Sequence, residues 1–139
     1  MKRTAKAHWK GNVKEGKGEL SSQSTTLNET QYSFTSRFES GVGTNPEELI
    51  AAALAGCFTM ALSATLERSG FVANDLNTDA TLDLDMSVRM ISGIHLDLKA
   101  SLIDGVSAET FQEIADGVKA NCIVSKALSV PVTLSVSYQ

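Results

Sequence analysis

The hydrophobic positions of this chain change period several times, and each change marks an element. Residues 4–10 alternate loosely around Ala5, Ala7 and Trp9, and Gly11, Gly16 and Gly18 punctuate the turn into a second extended run at 19–23. Residues 32–38 alternate more cleanly: Tyr32, Phe34 and Phe38 take one face and Ser33, Thr35 and Arg37 the other, which predicts a strand ended by Gly41 and Gly43. Thr44-Asn45-Pro46-Glu47-Glu48 then opens a helix. Asn45 suits the N-cap, Pro46 is tolerated at the first helical position, and Glu48 at the third completes an approximate capping box. The helix is expected over residues 46–68, roughly 34 Å at 1.5 Å per residue, with Ser69-Gly70 as its stop.

Beyond it, residues 80–90 alternate strictly, with Ala80, Leu82, Leu84, Met86, Val88 and Met90 on the apolar face. Ser92-Gly93 reads as a turn. Ile94, Leu96, Leu98, Ala100 and Leu102 then alternate with His95, Asp97, Lys99 and Ser101. This predicts a long antiparallel hairpin with one wet face. Ser107 can cap a second helix carrying Phe111, Ile114, Ala115, Val118 and Cys122 on one side. Val130, Val132, Leu134, Val136 and Tyr138 form a last strand whose start Pro131 places at an edge. Strands, helix, hairpin, helix, strand make an α+β, antiparallel chain.

The first helix is unusual, because no residue from 49 to 66 is charged. Such a run must be tested as a membrane span. Thr59, Ser63, Thr65 and Gly56 within it, its alanine-rich character, and the acidic residues and Arg68 at its ends argue against one. A helix apolar all round is instead buried all round. One small sheet cannot wrap it, so the sequence points to a second chain and an intertwined dimer.

Composition narrows the class. With 139 residues the chain fits a single domain, residues 1–139, that needs no disulfide or metal staple. Hydrophobic residues make up 42% and charged residues 20%, which excludes a disordered chain. The net charge of -4 and the scattered Lys and Arg argue against nucleic acid and against a polybasic membrane patch. Lys2 and Arg3 have no apolar stretch behind them, so no signal peptide is read and the expected address is the cytoplasm, where thiols stay reduced. Cys57, Cys122, His8 and His95 show no zinc-type spacing, so no metal is expected.

The chemistry-bearing candidates are few. Cys57 in Ala55-Gly56-Cys57-Phe58 and Cys122 after the second helix each read as buried small hydrophobes when taken alone. Paired, they would make a redox couple. A buried thiol reacts only if something stabilises its thiolate. Arg37 precedes the glycine-rich turn that feeds the Cys57 helix and is the least easily dismissed of the four arginines. On an ideal helix Glu48 falls nearly opposite Cys57 whereas Glu47 falls about 80° from it, so Glu47 is better placed to hold an Arg by a bidentate pair. His8 and His95 lack the company of a nucleophilic triad, and Asp79, Asp83, Asp85 and Asp97 read as a solubilising strand face.

These stretches together resemble the family of osmotically inducible protein C and organic hydroperoxide resistance proteins. The matching residues are Ala7-His8-Trp9, 32–38 with Arg37, Gly43-Thr44-Asn45-Pro46-Glu47-Glu48-Leu49, Ala55-Gly56-Cys57-Phe58, and Cys122-Ile123-Val124-Ser125-Lys126-Ala127-Leu128. They run in order through essentially the whole chain. The place of Arg37 resembles the osmotically inducible branch. One departure is Ile123, where the family usually has Pro.

The resemblance implies an OsmC-like fold, with antiparallel sheets wrapped around long central helices in an intertwined homodimer. It also implies thiol-dependent reduction of peroxides, organic hydroperoxides above all. By the same resemblance Cys57 is the peroxidatic thiol and Cys122 the resolving thiol, Arg37 stabilises the thiolate and polarises the peroxide, and Glu47 holds Arg37. No bound cofactor is implied, only an external dithiol, lipoyl-type in the family. The rival reading is a non-enzymatic dimer that binds an apolar ligand with inert cysteines. A thiol acyl-transferase is disfavoured because no His is placed to serve Cys57 as a base.

Overall fold

The computed structural model describes the whole chain, Met1–Gln139, which divides into two compact units, Met1–Leu49 and Ile50–Gln139. In the first unit β1 (Ala5–Lys10), β2 (Lys17–Ser22) and β3 (Thr30–Tyr32) form an antiparallel sheet in that order. Trp9 packs on Tyr32 with ring centroids 5.5 Å apart. The fully buried residues of this unit are Gly16, Gly18, Ser36 and Thr44, so it has no buried apolar core of its own.

The strand expected over residues 32–38 is not formed. Strand β3 stops at Tyr32, and α1 (Phe34–Phe38) follows. The cause is local. Ser33 Oγ accepts the Ser36 N–H at 3.2 Å while the Ser33 N–H donates to Ser36 Oγ at 2.8 Å, a reciprocal cap that outweighs the aromatic alternation. Arg37 is therefore a helical residue. Thr44 pairs back to β3, its N–H on Gln31 O at 2.9 Å. Gly43 is required there, because φ is +111° and a Cβ would lie 2.3 Å from Gln31 O.

Helix α2 (Pro46–Arg68) has the expected bounds. At its start only half of the capping box forms: Asn45 Oδ1 accepts the Glu48 N–H at 2.8 Å, but the Glu48 carboxylate accepts from Thr44 Oγ1 at 2.5 Å. At its end Gly70, with φ +85°, allows Phe71 N–H to reach Leu66 O at 3.0 Å and Gly70 N–H to reach Glu67 O at 2.9 Å, a Schellman stop.

In the second unit α2 buries a single stripe. Leu54, Phe58, Leu62 and Leu66 are fully buried, while Ala52, Ala53, Gly56 and Met60 remain exposed. Burial all round is thus not met within one chain. Each fully buried Leu or Phe contributes about 1.5–3 kcal/mol. Thr59 and Thr65 satisfy their hydroxyls inside the apolar run by donating to Ala55 O and Ala61 O at 2.7 and 2.8 Å.

The stripe belongs to one core with β5 and α3 (Ala108–Asn121). The sheet order is β4 (Leu76–Asp85), β5 (Met90–Ala100), β6 (Val132–Tyr138). Central strand β5 turns Ile94, Leu96, Leu98 and Ala100 inward. Ser107 caps α3 by accepting from Thr110 N–H at 3.1 Å, and Phe111 stacks on Tyr138 at 4.2 Å.

Two strand expectations change. The hairpin turns at Met86–Arg89 rather than at Ser92-Gly93, because Asp85 Oδ1 captures the Ser87 N–H at 2.9 Å and Arg89 adopts φ +54°. Met86, Val88 and Met90 are exposed as a result, and Gly93 lies within β5 opposite Asp83, beside a register shift. Strand β6 runs parallel to β5, not antiparallel, because α3 and the short α4 (Ile123–Ala127) carry the chain back as a crossover.

Candidate active site

The four residues singled out in the sequence fall into two pairs, each made within one unit. The first is Arg37 with Glu47. Three hydrogen bonds fix α1 against the first turn of α2: Ser36 Oγ donates to Thr44 O at 2.9 Å, Asn45 Nδ2 donates to Ser36 O at 3.1 Å, and Asn45 Oδ1 takes the Glu48 N–H. On this scaffold Arg37 Nε and Nη2 reach Glu47 Oε1 at 2.9 and 2.8 Å. Arg37 also lies 4.9 Å from the centroid of the Phe38 ring.

The pair is not the two-oxygen fork. Both nitrogens use Oε1, and Glu47 Oε2 is buried without a hydrogen-bond partner. The Glu47 side chain is 12% exposed and that of Arg37 43%. A buried carboxylate therefore anchors a cation whose remaining N–H groups are open to a ligand. Ser36 and Asn45, which hold the geometry, escaped the sequence reading as site residues; the cap motif at Asn45 was their one visible signal.

The second pair is Cys57 with Cys122. Both are free thiols, Cys57 half-buried on α2 and Cys122 buried at the junction of α3 and α4. Their sulfurs are near enough for each to influence the ionisation of the other. Burial pushes the Cys57 thiol above the usual thiol range. The main-chain N–H of Val124 works against that shift, the adjoining Cys122 sulfur adds to it, and the Ile123 N–H opposes it more weakly.

Cys122 goes the other way. Burial alone would raise it, but the Ser125 hydroxyl, the Ser125 N–H, the Cys57 thiol and the Val124 N–H outweigh burial and hold it below the usual range. Ser125 Oγ is 3.1 Å from Cys122 Sγ, and the Ser125 N–H donates to the same sulfur at 3.3 Å. More donors converge on the Cys122 sulfur than on that of Cys57. Ile123 N–H is a donor that a proline at that position could not supply. His95 lies elsewhere, on the wet face of β5, bonded to Thr133 and Ser135.

The fold and the thiol pair define a class, α+β proteins of the OsmC and organic hydroperoxide resistance fold with two neighbouring free cysteines. The family model described as OsmC-like protein matches residues 39–137, and the chain belongs to that family. Peroxiredoxin OsmC of Escherichia coli (strain K12) is 52% identical over 79 residues, which cover 57% of this chain and 55% of the relative. The chain thus matches about half the length of that curated relative. Among solved structures, the organic hydroperoxide resistance protein OhrB of Bacillus subtilis superposes with a TM-score of 0.68 at 25% identity, over 96% of this chain and 98% of its own. An organic hydroperoxide resistance protein OsmC from Legionella pneumophila gives 0.70 at 25% identity, over 99% and 97%.

Proposed function

We propose that this protein is a thiol-dependent peroxidase that reduces organic hydroperoxides, and hydrogen peroxide more slowly, as a defence against oxidative stress. The observation that carries the reading is two free thiols, Cys57 and Cys122, in one core of a chain of this family, near enough to influence each other's ionisation. The Cys57 thiolate attacks the terminal peroxide oxygen, the O–O bond breaks, and the alkoxide leaves and takes a proton to become the alcohol. Cys57 is left as a sulfenic acid. Cys122 attacks that sulfur, an S–S bond forms and water leaves. An external dithiol, of lipoyl type, returns two electrons and reopens the disulfide, so no bound cofactor or metal is needed.

Arg37 supplies positive charge to the Cys57 thiolate and to the departing oxygen, and Glu47 holds Arg37 in place. The working form is a homodimer in the cytoplasm. Two features support the dimer: the first unit buries no apolar side chain, and α2 leaves Ala52, Ala53, Gly56 and Met60 uncovered. Helix α2 is long and apolar enough to cross a membrane, but its Leu54, Phe58, Leu62 and Leu66 stripe belongs to the core of the second unit.

The test is intact mass and free-thiol count after one equivalent of cumene hydroperoxide without reductant. Loss of two thiols and two mass units per chain is the expected outcome. Two unchanged thiols would return the chain to the ligand-binding reading. A faster reaction with hydrogen peroxide than with cumene hydroperoxide would overturn the substrate preference.

A further inference from the structure

Cys122 occupies the capping position of α4, a place usually taken by Ser, Thr, Asp or Asn. A neutral thiol is a poor acceptor there, whereas a thiolate is a strong one. Two donors from one residue converge on its sulfur, the Ser125 N–H at 3.3 Å and the Ser125 hydroxyl at 3.1 Å. The hydroxyl can point its proton either way, so it serves a thiolate without rearrangement. Cys122 is only 4% exposed, which leaves water little part in solvating that charge. The titratable group facing it is Cys57 on α2. Lys119 in the last turn of α3 is engaged by Asp116 at 3.6 Å, and Lys126 lies in the last turn of α4.

We propose that Ser125 is a positioning residue of the thiol pair: it holds the Cys122 sulfur as a thiolate aimed at Cys57, so that resolution of an oxidised Cys57 needs no separate base. In that step the Cys122 thiolate forms the S–S bond, the S–O bond of the Cys57 sulfenic acid breaks, and the departing hydroxide takes a proton from solvent to become water. The oxidant is the hydroperoxide of the preceding reading, on which the kinetic part of the inference rests. The charge on Cys122 does not rest on it. Burial acts against ionisation at this site, and the two Ser125 donors are the largest influences that overcome it.

The experiment has two arms. In the first, the Cys122 thiolate is titrated by its ultraviolet absorbance in Cys57→Ser, with and without Ser125→Ala or Ser125→Thr. The midpoint is expected below that of a free thiol in Cys57→Ser, higher by about one pH unit with Ser125→Ala, and restored with Ser125→Thr. A Cys57→Ser midpoint at or above that of a free thiol overturns the proposal without needing any Ser125 variant to fold.

In the second arm, disulfide formation after one equivalent of cumene hydroperoxide is followed in Ser125→Ala with both cysteines present. It is expected to be about tenfold slower at neutral pH, and the deficit should vanish as pH rises past the ordinary thiol range, where Cys122 ionises unaided. A deficit equal at every pH would mean a merely structural serine. If no sulfenic acid forms at Cys57 at all, the peroxidase reading fails while the titration still decides the role of Ser125.

Discussion

The Arg37–Glu47 pair stands on short-range hydrogen bonds among Ser33, Ser36, Thr44 and Asn45, and its cation is 43% exposed. The Cys57–Cys122 pair stands on a packed core whose contributors run from α2 to α4, and Cys122 is 4% exposed. The first pair joins a guanidinium to one carboxylate oxygen through two short contacts. In the second, burial penalises the thiolate, and a few N–H and O–H donors decide which sulfur bears it. One region supplies charge, and the other chooses where charge goes. Substitutions that blur this division test it most directly.

The largest expected effect is from Cys57→Ser. Peroxide consumption should vanish while the thermal melt stays close to that of the parent, since Ser is nearly the size of Cys and Cys57 is only half-buried. Consumption that survives would show that Cys122 is itself the attacking thiol, as its lower pKa would otherwise allow.

Next in size is Arg37→Lys. Lysine keeps the charge but loses the fork that lets Nε and Nη2 share Glu47 Oε1. The first-step rate should fall on the order of 100-fold, the cost of losing one well-placed donor to developing charge. Stopped-flow consumption of cumene hydroperoxide measures it. An unchanged rate would separate the ion pair from the thiol chemistry altogether.

The same contrast explains what could be read from the sequence. Helix α2 was legible because its signals are local at both ends: Asn45 and Pro46 at the start, Gly70 at the stop. The buried stripe of β5 was legible because period two survives burial on one face. Helix α1 was hidden, since its aromatic spacing imitates a strand and the deciding bond is between two serines. The hairpin turn was displaced by Met86, Val88 and Met90, which continue the alternation past the Asp85–Ser87 closure. The direction of β6 is set by the crossover through α3 and α4, which no strand pattern encodes. Of the site, the residue types were legible, but the work of Ser125 was not: it depends on a sulfur acting as a helix cap.

A smaller effect is expected from Cys122→Ser on the first step. The Cys122 sulfur raises the Cys57 pKa, so its removal should bring Cys57 down toward the ordinary thiol range. More Cys57 thiolate is then present below pH 9, and the first equivalent of peroxide should be consumed faster before the protein stalls as sulfenic acid. Serine is a good N-cap, so α4 should persist. A pH profile of the first turnover tests the sign. A shift to higher pH would mean that Cys122 assists Cys57 rather than competing with it for charge.

The smallest effect separates backbone shape from backbone chemistry at Ile123. The residue is 83% exposed, so replacing it removes little packing. Cys122 has φ -64° and ψ 147°, which the residue before a proline accepts without strain, and the first position of a helix tolerates proline. Ile123→Pro should therefore leave the fold and the melting temperature nearly unchanged. It deletes one N–H that lowers the Cys57 pKa, leaving Val124 as the remaining main-chain donor. The Cys57 titration should move up by a few tenths of a pH unit, and the first-step rate at neutral pH should fall by roughly twofold. Because φ and ψ are already those of a pre-proline residue, any rate change in this variant reports the donor and not the turn. A titration curve identical to the parent's would show that Val124 alone carries the main-chain share of thiolate stabilisation, and that the first residue of α4 is free to vary without cost to the chemistry.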